Sequence, residues 1–251
     1  MSSGQELCIE VGILTSGKAT LSMMLTSLLL QDRAKLRIHI VDTSESPVIK
    51  RDDVAFALRL AFDRGISCEY EVSREKHRAF SVGRLKLLEA LKGPHTCFVD
   101  DDVVLPSDTF RRVAAVIQEN DIYGYIAPYC KNAGVASQQL VGMTHYSPGG
   151  VFFQDQLVRE VLLEYYSTTI DVLDKRKSAD KVWEIAFLSQ MFTQLGRKCI
   201  VQDDNVVYHL DYRERRNWRL LEGHLVSSSA RKARELLAKH EIPTSKAATD
   251  R

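Results

Sequence analysis

The sequence predicts an α/β fold, with a mostly parallel central sheet covered by helices on both faces and a helical C-terminal extension. Three observations lead there. Short β-branched runs alternate with amphipathic stretches through the first half of the chain. The connections between them are short. Hydroxyl and carboxylate groups stand at the ends of three of the apolar runs, where a parallel sheet opens its ligand crevice.

The first run, "LCIEVGILTS" (7–16), is apolar and β-branched, and ends in Thr15 and Ser16. Leu21, Met24, Leu25, Leu28 and Leu29 then recur at helical spacing within 19–31. "LRIHIVDTS" (36–44) is the second strand, with Asp42 at its end, and a helix over 52–64 is stopped by Gly65. "SCEYEVS" (67–73) is the third strand, and a helix over roughly 81–91 runs to "KGP". "HTCFVDDD" is the fourth strand. A helix from Pro106 follows it, with Phe110, Val113, Ala114 and Ile117 on one face.

After "IYGYIAPYC" (122–130) the alternation weakens. A Gly/Ser/Gln-rich stretch (131–148) leads to "GGVFF", then to helical patterns at about 155–170 and 178–195. "KCIVQDDNVVYHL" (198–210) reads as one or two strands, and the remainder is polar and basic with helical content. The expected division is an α/β domain over 1–210 and a basic, helical tail over 211–251.

Composition narrows the function classes. The formal charge is +1, so nothing demands nucleic acid or a membrane surface as partner. Residues 205–251 carry ten Lys/Arg against six Asp/Glu, so the basic character is local. The five cysteines are scattered without CxxC spacing and read as small buried hydrophobes of a reducing compartment. No signal pattern opens the chain, and "LSMMLTSLLL" is too short to span a bilayer. The expectation is a soluble, cytoplasmic protein.

"CFVDDDVVLPSDTF" (97–110) is the most informative stretch. Three adjacent carboxylates repel one another unless a cation sits among them. Hard divalent ions take oxygen ligands, and Asp100 and Asp102, two apart at a strand end, can lean towards one ion. The alternative is a solvated acidic turn before a helix that Ser107 and Asp108 could cap. The triplet follows the fourth strand, not the first, so it does not match an aspartyl-phosphate phosphatase. The phosphate-loop and dinucleotide glycine motifs are absent.

Taken in order, "EVGILTSGKATLSMMLTSLLLQ", "IHIVDTSES", "GRLKLLEALKGPHTCFVDDDVVLPSDTF" and "WEIAFLSQMFTQLGRKCIV" resemble the landmarks of GT-A-fold glycosyltransferases, closest to glycosyltransferase family 2. The resemblance covers roughly residues 8–210. It implies Thr15 and Asp42 at the nucleobase and Gly83–Arg84 at a helix start near the phosphates. It also implies Asp100 and Asp102 at metal and ribose, with Asp101 between them in the nucleotide-binding set. The family's asparagine after the arginine is Leu85 here. "SPGGVFF" looks like the family's glycine segment, so Gly149 and Gly150 would let the backbone approach the donor sugar.

The resemblance also implies a catalytic base. Val182, Ile185, Leu188, Phe192 and Leu195 share one helical face, and Glu184 stands off that stripe between Trp183 and Phe187. A carboxylate beside aromatics at a crevice rim can have the raised pKa a general base needs. The family has an "E-D" pair here, whose Asp is the base. This chain has Glu184 and Ile185, so the role falls to Glu184, with Asp180 one turn earlier in reserve. His209 stands where such enzymes place a third metal ligand. Arg213, Arg215 and Arg216 stand where family members close a lid over the diphosphate. A solvated basic helix start, or a patch for an anionic acceptor, remains an alternative for those arginines.

The implied activity is metal-dependent transfer of a sugar from a nucleotide-sugar donor, UDP-linked by preference, to an acceptor hydroxyl. Mn²⁺ or Mg²⁺ would be the cofactor, and a single displacement implies inversion. A catalytically silent sugar-nucleotide-binding subunit and a sugar-1-phosphate nucleotidyltransferase are the alternatives. Glycan, lipid-linked sugar, protein, metabolite and modified DNA base all stay open as acceptors.

Overall fold

The computed structural model describes residues 7–32, 34–75, 79–119, 123–131, 151–173 and 196–210. The first half alternates strictly: β1 (Leu7–Thr15), α1 (Leu21–Leu29), β2 (Ala34–Asp42), a 3-10 turn (Val48–Lys50), α2 (Asp52–Asp63), β3 (Ser67–Val72), α3 (Ala79–Ala90) and β4 (His95–Asp100). The second half is mixed: β5 (Val103–Val104), α4 (Thr109–Glu119), β6 (Tyr123–Lys131), β7 (Val151–Asp155), α5 (Gln156–Leu173) and β8 (Lys198–His209). The described strands form one eight-stranded sheet in the order β3-β2-β1-β4-β7-β6-β8-β5.

Each helix before β4 carries the chain back so that the next strand runs parallel to the last. β1 therefore pairs in parallel with β2 and β4, and β2 with β3. β7 breaks the pattern, running antiparallel to both β4 and β6, while β6 and β8 are parallel. β5 is two residues long and pairs antiparallel with the end of β8. The expected mostly parallel sheet is present, with its parallel part concentrated around β1.

Side chains of β1 alternate between two cores. Ile9, Val11 and Ile13 are fully buried against Leu21, Met24, Leu25 and Leu28 of α1, Val54 and Ala57 of α2, and Phe110 and Val113 of α4. Burying each such side chain contributes about 1.5–3 kcal/mol relative to exposure. On the other face α3 packs against α5.

Gly12 lies on that second face. A Cβ there would stand 2.9 Å from two atoms of the Phe98 ring and 3.3 Å from Leu91 Cδ1. Phe98 is 1% exposed and has little room to retreat. Gly12→Ala is therefore expected to cost about 1–3 kcal/mol by overpacking, read as a lower urea midpoint at unchanged m-value.

Several expectations need correction in detail. The helix expected from Pro106 begins at Thr109. Asp108 does not cap it: its carboxylate accepts instead from Arg112 Nε at 2.7 Å and Arg111 at 3.3 Å. The early N–H of Phe110 is taken by Gln31 Oε1 from across the fold, at 3.0 Å. The 198–210 stretch is one strand, with a register shift against β6 between Pro128 and Tyr129. Of the four described cysteines, none in a disulfide, Cys97 and Cys130 are buried as expected. Cys8 is exposed, because it opens β1 before the core begins. Among the described residues no helix is long and apolar enough to cross a membrane.

Candidate functional site

Register places the site. Thr15 aligns with Asp42 between β1 and β2, and Leu14 aligns with Asp100 between β1 and β4. The carboxyl ends of three neighbouring strands therefore open side by side. β8 brings a fourth group, because His209 pairs with Val103 and the Leu210 N–H donates to the Asp102 carbonyl at 2.7 Å.

Asp42 is fully buried, and its own surroundings saturate it. The N–H groups of Ser44 and Val48 donate to its two oxygens at 2.8 and 2.7 Å, and the Tyr70 hydroxyl donates at 2.5 Å. Burial pushes its pKa up, but the hydrogen bonds from Ser44, Tyr70 and Val48 together outweigh that and hold it below the ordinary range. Tyr70 is pushed up to about 12, by burial first and then by the Asp42 carboxylate, so it stays a donor. In this conformation Asp42 builds the wall of the crevice and presents no surface to a ligand.

Asn in that position would turn an N–H donor towards a donor, so Asp42→Asn is expected to lose about 1–3 kcal/mol at neutral pH. The folded carboxyl lies below its ordinary value of 3.8, so its stabilisation is present above that pH and is lost as pH falls through the lowered value. The stability gap between wild type and Asp42→Asn should therefore narrow on acidification below 3.8. Urea midpoints measured across that range check it.

The loop after β1 is held from below. Gly17 has φ +91°, a left-handed turn that glycine permits, and a Cβ there would meet Ser44 Cβ at 3.0 Å. Arg51 donates to the carbonyls of Lys18, Ala19 and Gly17 at 2.7, 3.1 and 3.3 Å, and its guanidinium is itself fixed by Asp53. Thr20 Oγ1 donates to the Asp101 carbonyl at 3.0 Å, tying this loop to the triplet.

The three aspartates face three ways. Asp101 turns inward, accepting from Thr15 Oγ1 at 2.7 Å and from the Ser16 N–H at 3.3 Å. Burial raises its pKa. The Thr15 hydroxyl and the Lys18 ammonium pull it back, while the Asp102 and Asp100 carboxylates add to the rise. Asp102 is 1% exposed; its Oδ2 accepts from the Lys18 ammonium and its Oδ1 faces His209 Nε2 at 3.3 Å. Asp100 is partly exposed, with Arg84 Nη2 3.6 Å from its Oδ1. The Arg84 guanidinium lies 4.2 Å over the Phe98 ring and 5.3 Å over that of Phe80, so aromatic faces hold its charge in a buried place.

Among the described residues, Lys18 and Arg84 answer the charge of the triplet. Among the described residues no group of three His, Cys, Asp or Glu side chains converges as a metal cage. The Asp102–His209 pair nonetheless suits a small divalent ion. Asp102 Oδ1 is buried and accepts no hydrogen bond from the described residues. One carboxylate and one imidazole, completed by diphosphate oxygens, is an ordinary ligand set.

Thr15, Asp42, Arg84, Asp100, Asp101, Asp102 and His209 are thus gathered at one edge, as their positions in the sequence suggest. Gly149, Gly150, Asp180, Glu184, Arg213, Arg215 and Arg216 lie outside the described residues. Lys18, Arg51 and Tyr70 join the site without having been singled out. The available signal for Lys18 was its place three residues past the end of β1.

No family model and no curated protein matches the sequence. Solved structures do. A mannosyltransferase from Pyrobaculum calidifontis, in complex with GDP-Man and Mn²⁺, is 15% identical with a TM-score of 0.60, over 90% of this chain and 64% of that one. TarS of S. aureus in complex with UDP-GlcNAc is 15% identical with a TM-score of 0.60, over 96% and 68%. Glucosyl-3-phosphoglycerate synthase from Mycobacterium tuberculosis, with Mn²⁺, UDP and phosphoglyceric acid, is 17% identical with a TM-score of 0.55, over 95% and 80%. The chain spans less than two thirds of the mannosyltransferase.

Proposed function

We propose, from the GT-A fold that this chain shares with those proteins, that it transfers a sugar from a nucleotide-sugar donor to an acceptor hydroxyl. The observation that carries the reading is the pairing of Asp102 with His209 at 3.3 Å, on the carboxyl edge where Thr15, Asp100 and Asp101 also end. The neighbours are in complex with GDP-Man and Mn²⁺, with UDP and Mg²⁺, and with UDP-GlcNAc. A UDP-sugar is the donor expected here.

Asp102 and His209 would hold Mn²⁺ or Mg²⁺, which when bound supplies positive charge against the leaving diphosphate. The chain's own residues do the rest. Arg84, braced by Phe98 and Phe80, has its guanidinium beside Asp100 and would meet the phosphates there. Thr15 and Ser16 hold Asp101 inward, which fixes the turn between Asp100 and Asp102. Glu184, with Asp180 in reserve, would take the proton of the acceptor hydroxyl, giving a single displacement with inversion. Gly149 and Gly150 would admit the donor sugar. Arg213, Arg215 and Arg216 would close over the diphosphate as a lid, with 1–210 as transferase domain and 211–251 as lid and tail.

The test is a thermal-shift screen of the full chain against nucleotide sugars, each with and without Mn²⁺. Ligand that binds the folded state raises Tm by mass action, so the true donor should stand out and do so only with metal. No rise with any nucleotide sugar overturns the reading. A rise without release of free nucleotide diphosphate, in the presence or absence of acceptors, points to a silent binding subunit instead.

A further inference from the structure

We infer that Lys18 is the resident cation of the metal seat: its ammonium occupies Asp102 until a nucleotide diphosphate draws it away, so that metal and donor enter together. The inference rests on the function proposed above and specifies how that site is loaded.

The ammonium donates to Asp102 Oδ2 and stands 3.8 Å from Asp101 Oδ1, so it serves both inward carboxylates at once. Asp102 is 1% exposed, and burying a carboxylate is costly unless a cation pairs with it. On its other oxygen it faces His209 Nε2. Asp102 is thus shared between an ammonium on one side and an imidazole on the other. A divalent ion bridging Asp102 and His209 would add two positive charges next to the ammonium, and like charges at that separation repel strongly. Both cannot stay.

The lysine is built to leave. Its backbone is pinned, because Arg51 binds the carbonyls of Gly17, Lys18 and Ala19. Its side chain is 35% exposed and ends a flexible four-carbon stem. The ammonium can therefore swing without any change in the loop. A diphosphate in the crevice would give it a new anionic partner, leaving Asp102 and His209 to hold the metal. Metal and nucleotide then favour each other's binding, and by linkage the coupling is reciprocal.

The test titrates Mn²⁺ alone into the full chain, followed by calorimetry or by the paramagnetic resonance signal of free Mn²⁺, and then repeats it with UDP. K18M should bind Mn²⁺ alone about tenfold or more tightly than wild type, since a neighbouring positive charge has gone. K18R keeps the charge and should stay near wild type. UDP should tighten Mn²⁺ binding far more in wild type than in K18M. K18Q gives the same readout should K18M be unstable. Equal Mn²⁺ affinity in wild type and the neutral variants overturns the inference, and so does K18R behaving like K18M. If the neutral variants gain Mn²⁺ affinity while no chain binds UDP, the resident-cation role stands and the transferase reading falls.

Discussion

Asp102→Asn is expected to abolish Mn²⁺-dependent UDP binding and to lower turnover by at least roughly 10²–10³-fold. The amide keeps the shape of the carboxylate and removes its charge. It would weaken the hold on the Lys18 ammonium and turn an N–H₂ towards either that ammonium or His209. The fold should survive. The backbone bond from Leu210 to the Asp102 carbonyl does not involve the side chain, and Lys18 can turn out to solvent. The stability cost is of the order of 1–3 kcal/mol, typical of a disturbed buried polar group. Calorimetric titration of UDP with and without Mn²⁺ checks it. Unchanged affinity in the presence of metal would remove Asp102 from the ligand set.

Glu184→Gln carries the other large effect. Glutamine preserves size and removes the proposed proton acceptor, so turnover should fall roughly 10²–10⁴-fold with donor affinity little altered. The informative comparison is with Asp180→Asn. If Glu184→Gln retains activity and Asp180→Asn does not, the base is Asp180, four residues earlier in the sequence. Single-turnover rates at saturating donor separate these outcomes from a change in binding.

The first half of the fold was legible in the sequence because its signals are local. β1, β2 and β4 announce themselves as apolar runs, and α1 and α4 as stripes at helical spacing. β5 was not legible: two residues have no period, and the strand exists because β8 arrives beside it. Nor was the direction of β7, since the sequence before it is a Gly/Ser/Gln-rich stretch with no helical period to fix the sense of the crossover. The site divides the same way. A run of three carboxylates is conspicuous wherever it occurs. Lys18, Arg51 and Tyr70 are single polar residues, and what makes them part of the site is a partner 84, 33 and 28 positions away in the chain. Asp42 shows the converse case. Its position at a strand end was readable, but its three internal donors were not, and they decide that it faces inward.

The pairing of β5 with β8 also bears on time. Thr15, Asp42 and Asp100 belong to strands joined by short helical crossovers, so their edge of the sheet can assemble from neighbouring pieces of chain. His209 reaches Asp102 only after the whole intervening chain has been gathered in, and closing so long a loop delays such contacts in folding. The Asp102–His209 pair is therefore expected to form late in folding, when the last described strand enters between β6 and β5. A ligand that bridges those two residues clasps that final step. It should act mainly by slowing the departure of β8, and hence unfolding, while leaving the early rate of folding untouched.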